Sequence, residues 1–308
     1  MRRILRVGVV LVVLLLPACT RGGGTVPTHS PTPTGDSPSP SATTLPPGAP
    51  VIVGFKNDQP NLSQLLDSES RPTGFEPDLA QTVLAEALGF KLTPSPVSTR
   101  TWADQLRNGQ VRVVVSAISY TSARNKEFLF AGPYLQTRLG IMVAKDSPLS
   151  DREIAELKGL KVCYIRATTA EPAVEQLVKN NPAVIPVPQD TATRCLEDIR
   201  SNPDEVFVSD GIILRGQSTA TPGKDLYRFV EHDIGSAPQK YAIALRSDDG
   251  ELCLRIANAL DRYLGSPQWF ANFNSWFGPA GGDRALLEQL YKPPAVERKW
   301  CAPPSSQG

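Results

Sequence analysis

The residues best suited to chemistry in this chain lie close together in VVVSAISYTSAR, residues 113–124. The β-branched apolar run predicts a buried strand, and the polar residues after it predict a turn. Ser116, Ser119 and Thr121 bring hydroxyls to that turn, and Ala117 brings backbone donors and acceptors. Arg124 follows with a guanidinium. A strand end with hydroxyls, backbone groups and one guanidinium is a cradle for a small anion, above all a carboxylate, which the planar fork of an arginine matches with two parallel hydrogen bonds. Catalytic chemistry has little to build on. Of the two histidines, His29 lies in a Pro/Ser/Thr tract, so a histidine-based metal site or a Ser–His–Asp arrangement would rest on His232 alone. No GxSxG, HExxH, P-loop or CxxC pattern occurs. The chain is expected to be no enzyme and to hold no metal and no cofactor. Its net charge of +1 implies no nucleic acid or other polyanion as partner.

The elements that must position these groups alternate. Residues 51–55, VIVGF, read as a short buried strand. Gly74-Phe75-Glu76-Pro77 opens a helix with Pro77 in its first turn, Leu79, Val83, Leu84, Ala87 and Leu88 give it an apolar face, and Gly89 stops it. A strand over 91–97, a short helix over 102–107 closed by Asn108-Gly109, and a strand over 111–117 follow. Strand–helix–strand–helix–strand order predicts a mostly parallel sheet flanked by helices. After an apolar run at 139–144 the pattern restarts, with a strand over 161–165 and a helix to 178 opened by a capping box in Thr168-Thr169-Ala170-Glu171. A helix over 192–200, a strand over 206–208 and a returning strand over 241–245 come next. An amphipathic helix through Leu252, Ile256, Leu260 and Leu264 leads to an aromatic helix, QWFANFNSWF, over 268–277. The tail 279–308 contains prolines and is expected to be pinned by Cys301.

The first residues bear on compartment. Arg2, Arg3 and Arg6 precede an apolar run over 7–16 that is too short to span a bilayer and has the length of a signal-peptide core. Leu16-Pro17-Ala18-Cys19 resembles a bacterial lipobox, which predicts a signal peptide over 1–18 and a lipid on Cys19. Residues 19–50, dense in Pro, Thr, Ser and Gly, cannot form a core and read as a tether. The other cysteines fit export. Cys163, Cys195, Cys253 and Cys301 allow three pairings, and neighbours in sequence order, Cys163–Cys195 and Cys253–Cys301, are the simplest.

Several segments together resemble the amino-acid-binding family of bacterial solute-binding proteins, the extracellular receptors of ABC importers. They are DQPNL at 58–62, GFEPDLA at 74–80, SAISYTSAR at 116–124, FAGPY at 130–134, LKGLKVCYIRATTAE at 157–171, VFVSD at 206–210 and the closing WFG at 276–278. The cysteines at 163 and 195, with DQPxL, resemble its glutamate-binding branch. The resemblance implies a two-lobed, type II periplasmic-binding-protein-like clamp. One lobe would be built from 51–138 and 237–278, the other from 139–236, with a two-strand hinge and a ligand between them. It also implies roles. Arg124 would hold the ligand α-carboxylate, helped by the Ser119 hydroxyl and backbone groups of Ser116 and Ala117. Thr168 and Thr169 would face it from a helix N-terminus, where free N–H groups favour anions. Asp210 would pair the α-ammonium. Lys56 stands where acidic-ligand receptors of the family place a cation, and Asp58, Gln59 and Trp102 are expected walls.

This chain departs from the family where Asn57 replaces a frequent aromatic, Arg112 a strand Asp and Ala167 a Gly, which bears on ligand identity. The implied function is a lipid-anchored monomer on the extracytoplasmic face of the cell membrane. It would bind glutamate, aspartate or glutamine and deliver it to an ABC permease, or report it to a membrane sensor. A degenerate clamp or an enzyme on the same fold are the remaining readings.

Overall fold

A computed structural model describes residues 45–65, 70–220, 223–230, 234, 237–278 and 283–302. The expected signal peptide, Cys19, nearly all of the tether, His29 and His232 lie outside the described residues. Within them, no helix is long and apolar enough to cross a membrane. The packed chain already includes Leu45, whose carbonyl accepts a hydrogen bond from Arg255 Nη1 at 2.7 Å.

The first sheet is built on β1 (Pro50–Lys56), which pairs in parallel with β2 (Lys91–Val97) and with β3 (Val113–Val115). Between β1 and β2 the chain forms α1 (Phe75–Ala80), which continues as a wider turn over Gln81–Glu86, and between β2 and β3 it forms α2 (Trp102–Arg107). Gly74 enters α1 with φ at 126°, and a Cβ there would sit 2.5 Å from the carbonyl oxygen of Leu62, so only glycine fits. After β3 comes one turn of helix, α3 (Ser122–Asn125), capped by the Thr121 hydroxyl, which accepts from Arg124 N at 3.1 Å. A long strand follows, β4 (Phe128–Thr137).

The chain then passes at Arg138 into β5 (Leu139–Ala144), the start of the second sheet. That sheet collects β6 (Lys161–Ile165), β7 (Ile185–Gln189), β8 (Glu205–Asp210) and β9 (Tyr227–Val230). The intervening helices are α4 (Asp151–Glu156), α5 (Ala170–Asn180), α6 (Ala192–Ser201), α7 (Gly211–Thr219) and α8 (Gly223–Leu226). The chain returns to the first sheet as β10 (Gln239–Arg246), then adds α9 (Gly250–Gly265), α10 (Gln268–Phe277), α11 (Arg284–Tyr291) and a final helical turn, Arg298–Cys301.

The strand orders are β2-β1-β3-β10-β4 and β7-β6-β8-β5-β9. In each sheet one strand, β10 or β5, runs against the rest, because it is the strand through which the chain crosses between sheets. The architecture is thus a two-lobed α/β clamp with two mixed sheets. Each lobe has its own apolar cores, one centred on Phe75, Tyr241 and Trp269, another on Ile141, Val162 and Val208. Disulfides join Cys163 to Cys195 and Cys253 to Cys301.

One local expectation needs correction. The Thr168–Glu171 capping box does not form. Thr168 Oγ1 donates instead to the Ile165 carbonyl at 2.7 Å, Glu171 accepts from Ala167 N at 2.9 Å, and α5 begins one residue later, at Ala170 behind Thr169. Ala167, with φ at 61°, folds the chain back so that Thr168 faces the strand end rather than the helix. The tail is pinned by the Cys253–Cys301 disulfide, as expected, and does more. It carries α11 and buries Leu287, Tyr291, Val296 and Trp300.

Candidate functional site

The ends of β1, β3, β6 and β8 meet at one small cavity between the two sheets. Lys56, Asp58 and Gln59 reach it from the end of β1 and Trp102 from α2. Ser116, Ala117 and Ser119 line it from the segment after β3, and Arg124 from α3. From the other lobe come Thr168 and Thr169 at the start of α5, and Asp210 at the end of β8. Each residue expected from the sequence to contact the ligand therefore lines this one space. Thr99, Ile118, Ile165, Ala192, Ser209 and Ile213 line it as well and were not anticipated. Their types carry no chemical signal in one dimension; only the crossing of strand ends brings them here.

Arg124 has its guanidinium fixed before any ligand arrives. Nη1 donates to the Ser119 carbonyl at 2.9 Å, and Nη2 crosses to the Ala167 carbonyl of the other lobe at 3.1 Å. The Trp102 ring lies beneath it, 5.7 Å from centroid to Cζ. Burial lowers the Arg124 pKa, and Asp210 opposes that shift. A guanidinium has five N–H donors, so donors remain for a carboxylate.

Asp210 is buried, and Oδ2 accepts from the Tyr241 hydroxyl at 2.5 Å. Oδ1 is buried without a partner. Burial raises this carboxyl to about 6, against the Tyr241 hydrogen bond and the Arg124 charge. An acceptor held in this state is a site for a cation that brings its own donors. Ser116 Oγ, Gln59 Oε1 and Asp58 Oδ1 are likewise buried without a hydrogen bond.

Lys56 is buried at the far end. Its ammonium donates to Thr99 Oγ1 and lies 3.8 Å from Asp58 Oδ1. Burial lowers its pKa, opposed by Asp58 and Glu76. The lysine is therefore balanced by an acid of its own lobe. That end of the cavity offers a donor beside acceptors rather than a bare positive charge.

One expectation meets a different geometry. The Ala117 N–H is already committed to Glu76 Oε1 at 2.7 Å, and the Tyr134 hydroxyl donates to the same oxygen at 2.5 Å. Ala117 sits at φ 52°, and this bond holds it there. Glu76, which lies in the first turn of α1, is fully buried. Burial pushes its carboxyl up to about 7.

The lobes touch across the cavity. Gln217 Nε2 donates to the Asp58 carbonyl at 2.9 Å, Asn61 Nδ2 to Thr219 Oγ1 at 3.1 Å, and Arg100 pairs with Asp190 at 2.9 Å. Arg100 is thereby a bridge between lobes and not part of the cavity wall.

Comparison with known proteins agrees with this geometry. The sequence profile of the bacterial extracellular solute-binding proteins, family 3, matches residues 51–279. The glutamate-binding protein GluB of Corynebacterium glutamicum is 28% identical over 227 residues, covering 69% of this chain and 73% of its own. The glutamine-binding protein of Geobacillus stearothermophilus is 24% identical over 212 residues, covering 68% of this chain and 77% of its own. Among solved structures, an ancestral arginine-binding protein bound to arginine superposes with a TM-score of 0.63 at 25% identity, over 75% of this chain and 99% of that one.

Proposed function

The chain belongs to the bacterial extracellular solute-binding proteins of family 3, and on that premise we propose that it captures one free polar amino acid between its lobes for an ABC importer. The ligand α-carboxylate lies on Arg124 and Ser119, near the N-terminus of α5. Its α-ammonium lies on Asp210. Glutamate, aspartate and glutamine are the ligands this reading names. A side-chain carboxylate or amide oxygen accepts from Lys56, and an amide N–H₂ also finds Asp58 and Gln59. The protein is a monomer, held at the outer face of the cell membrane by lipid on Cys19 through the 19–50 tether, with lobes over 51–138 plus 237–278 and over 139–236. No catalysis is assigned to it.

The observation that carries the reading is a pair of opposed charges on one cavity. The Arg124 guanidinium comes from one lobe and the Asp210 carboxylate, with an unpartnered buried oxygen, from the other. A zwitterion satisfies both only when the lobes are together, so binding stabilises the closed form through differential affinity. The relatives named as glutamate- and glutamine-binding proteins support the ligand class. The test is a thermal-shift screen of the purified protein against the common amino acids, followed by calorimetry. Glutamate, aspartate or glutamine should raise the melting temperature with concentration. A screen in which no amino acid shifts the melt, with the protein folded, overturns the reading.

A further inference from the structure

The family profile ends at residue 279, but the chain packs on through α11 to the turn Arg298–Cys301. That turn reaches the back of the segment that carries Arg124. The Trp300 ring lies flat on Tyr120, with centroids 3.9 Å apart and planes 6° from parallel. The Trp300 carbonyl accepts from Asn125 Nδ2 at 3.1 Å. Tyr120 and Asn125 bracket Arg124 in sequence, so one tail residue grips the segment on both sides of the guanidinium. The tail is itself anchored. Glu297 N donates to the Gly132 carbonyl at 2.6 Å, Arg298 pairs with Asp261 at 2.9 Å, and Cys301 is bonded to Cys253 of α9.

The segment needs such a grip. α3 is four residues long, and a single helical turn does not hold itself in water. Besides the tail, it is tied by Tyr120 N donating to the Lys240 carbonyl at 2.8 Å, by the Tyr120 ring edge-on to Phe130, by Asn125 Nδ2 donating to the Phe128 carbonyl at 2.9 Å, by the Arg124 bonds to the Ser119 and Ala167 carbonyls, and by the Thr121 cap; of these, none covers the outer face of Tyr120 on which Trp300 stacks. We infer that the C-terminal strap is a positioning element for carboxylate recognition. Trp300, locked by Cys253–Cys301, holds residues 119–125 in the conformation that aims Arg124 into the cavity. Without it, the segment must be ordered when the ligand binds, and that cost comes out of affinity. The inference rests on the amino-acid reading above.

The experiment compares the full chain with W300F, W300L, W300A and the Cys253→Ser/Cys301→Ser double variant, all below their melting temperatures. One arm measures affinity for L-glutamate and L-glutamine by calorimetry. The other measures amide hydrogen exchange over 119–125 in the unliganded protein. W300A and W300L should bind about three- to tenfold more weakly, the loss expected for one aromatic stack. Their Arg124 and Asn125 amides should exchange faster. W300F keeps a flat ring and should restore both readouts, and the double cysteine variant should resemble W300L. If W300A does not fold, W300L carries the test, since it keeps an apolar side chain of intermediate size without a stacking face. Affinity and exchange in W300L equal to wild type overturn the inference. So does a loss that W300F fails to rescue. If wild type binds neither amino acid, the assignment of glutamate and glutamine is what fails, and the exchange arm still decides whether the strap orders the segment.

Discussion

Arg124 and Asp210 are complementary in chemistry and in state. Arg124 is permanently charged, aimed by two backbone carbonyls and seated on Trp102. Replacing it with alanine should weaken amino-acid binding by roughly 2–5 kcal/mol, because a carboxylate would then be desolvated with no partner. Calorimetry against wild type measures this, and lysine in its place should recover only part, since an ammonium cannot form the two-pronged contact. Asp210 behaves differently, because its carboxyl is raised to about 6. An incoming ammonium favours the ionised form, so binding near that pH releases a proton. Affinity should be flat above about pH 7 and fall about tenfold for each pH unit below about 6. Titrations in buffers of different ionisation enthalpy would reveal the proton, and a pH-independent affinity would remove Asp210 from the ammonium's partners.

Glu76 extends this to stability. Its folded carboxyl, at about 7, holds a proton more tightly than in the unfolded chain, where 4.5 is usual. Such a group favours the folded state fully below about pH 4.5, and that contribution is lost as pH rises through about 7. Asp210 acts in the same direction at lower pH. Thermal melts of the unliganded protein should therefore decline from about pH 5 to about pH 8, and Glu76→Gln, which still accepts from Ala117 N, should flatten the decline.

At the scale of elements, the site depends on strand ends that are held from behind. β6 leads directly into the Thr168–Thr169 corner, and its Cys163 is bonded to Cys195 on α6. The bridge closes a sequence separation of 32 residues. Its removal by serine substitution at both positions should cost about 2–4 kcal/mol of stability in denaturant titration. The corner itself departs from its local sequence pattern. Thr-x-x-Glu fits a capping box, yet the positive φ at Ala167 sets the hydroxyl against β6, and Glu171 binds the corner backbone instead. Local pattern was overridden because the corner must turn back toward the other lobe, where Arg124 meets the Ala167 carbonyl.

At the scale of the whole molecule, the lobes approach closely where Gly216 of α7 meets the loop after β1. A Cβ at Gly216 would lie 2.2 Å from the Pro60 carbonyl oxygen, so the closed arrangement requires glycine there. Gly216→Ala should oppose closure while improving helix propensity by up to about 1 kcal/mol. The expected result is weaker amino-acid binding with no loss of unliganded stability. Small-angle scattering should also show a smaller contraction on adding ligand. Unchanged affinity in this variant would mean that the ligand binds without bringing these two segments together.

What the chain determines by itself is local and chemical. β-Branched runs define the strand cores, and an arginine three residues after a hydroxyl turn and an aspartate ending a buried strand stand out as opposite charges at strand ends, which the fold brings to one cavity. These signals survive in one dimension because they depend on neighbours in sequence. The burial of Glu76, the pairing of Lys56 with Asp58, the commitment of the Ala117 N–H and the grip of Trp300 on Tyr120 were decided only by tertiary structure. Each joins residues brought together by the sheet order or by the tail's return. In each case the partner that sets the charge, the free donor or the orientation is invisible until the chain has folded back on itself.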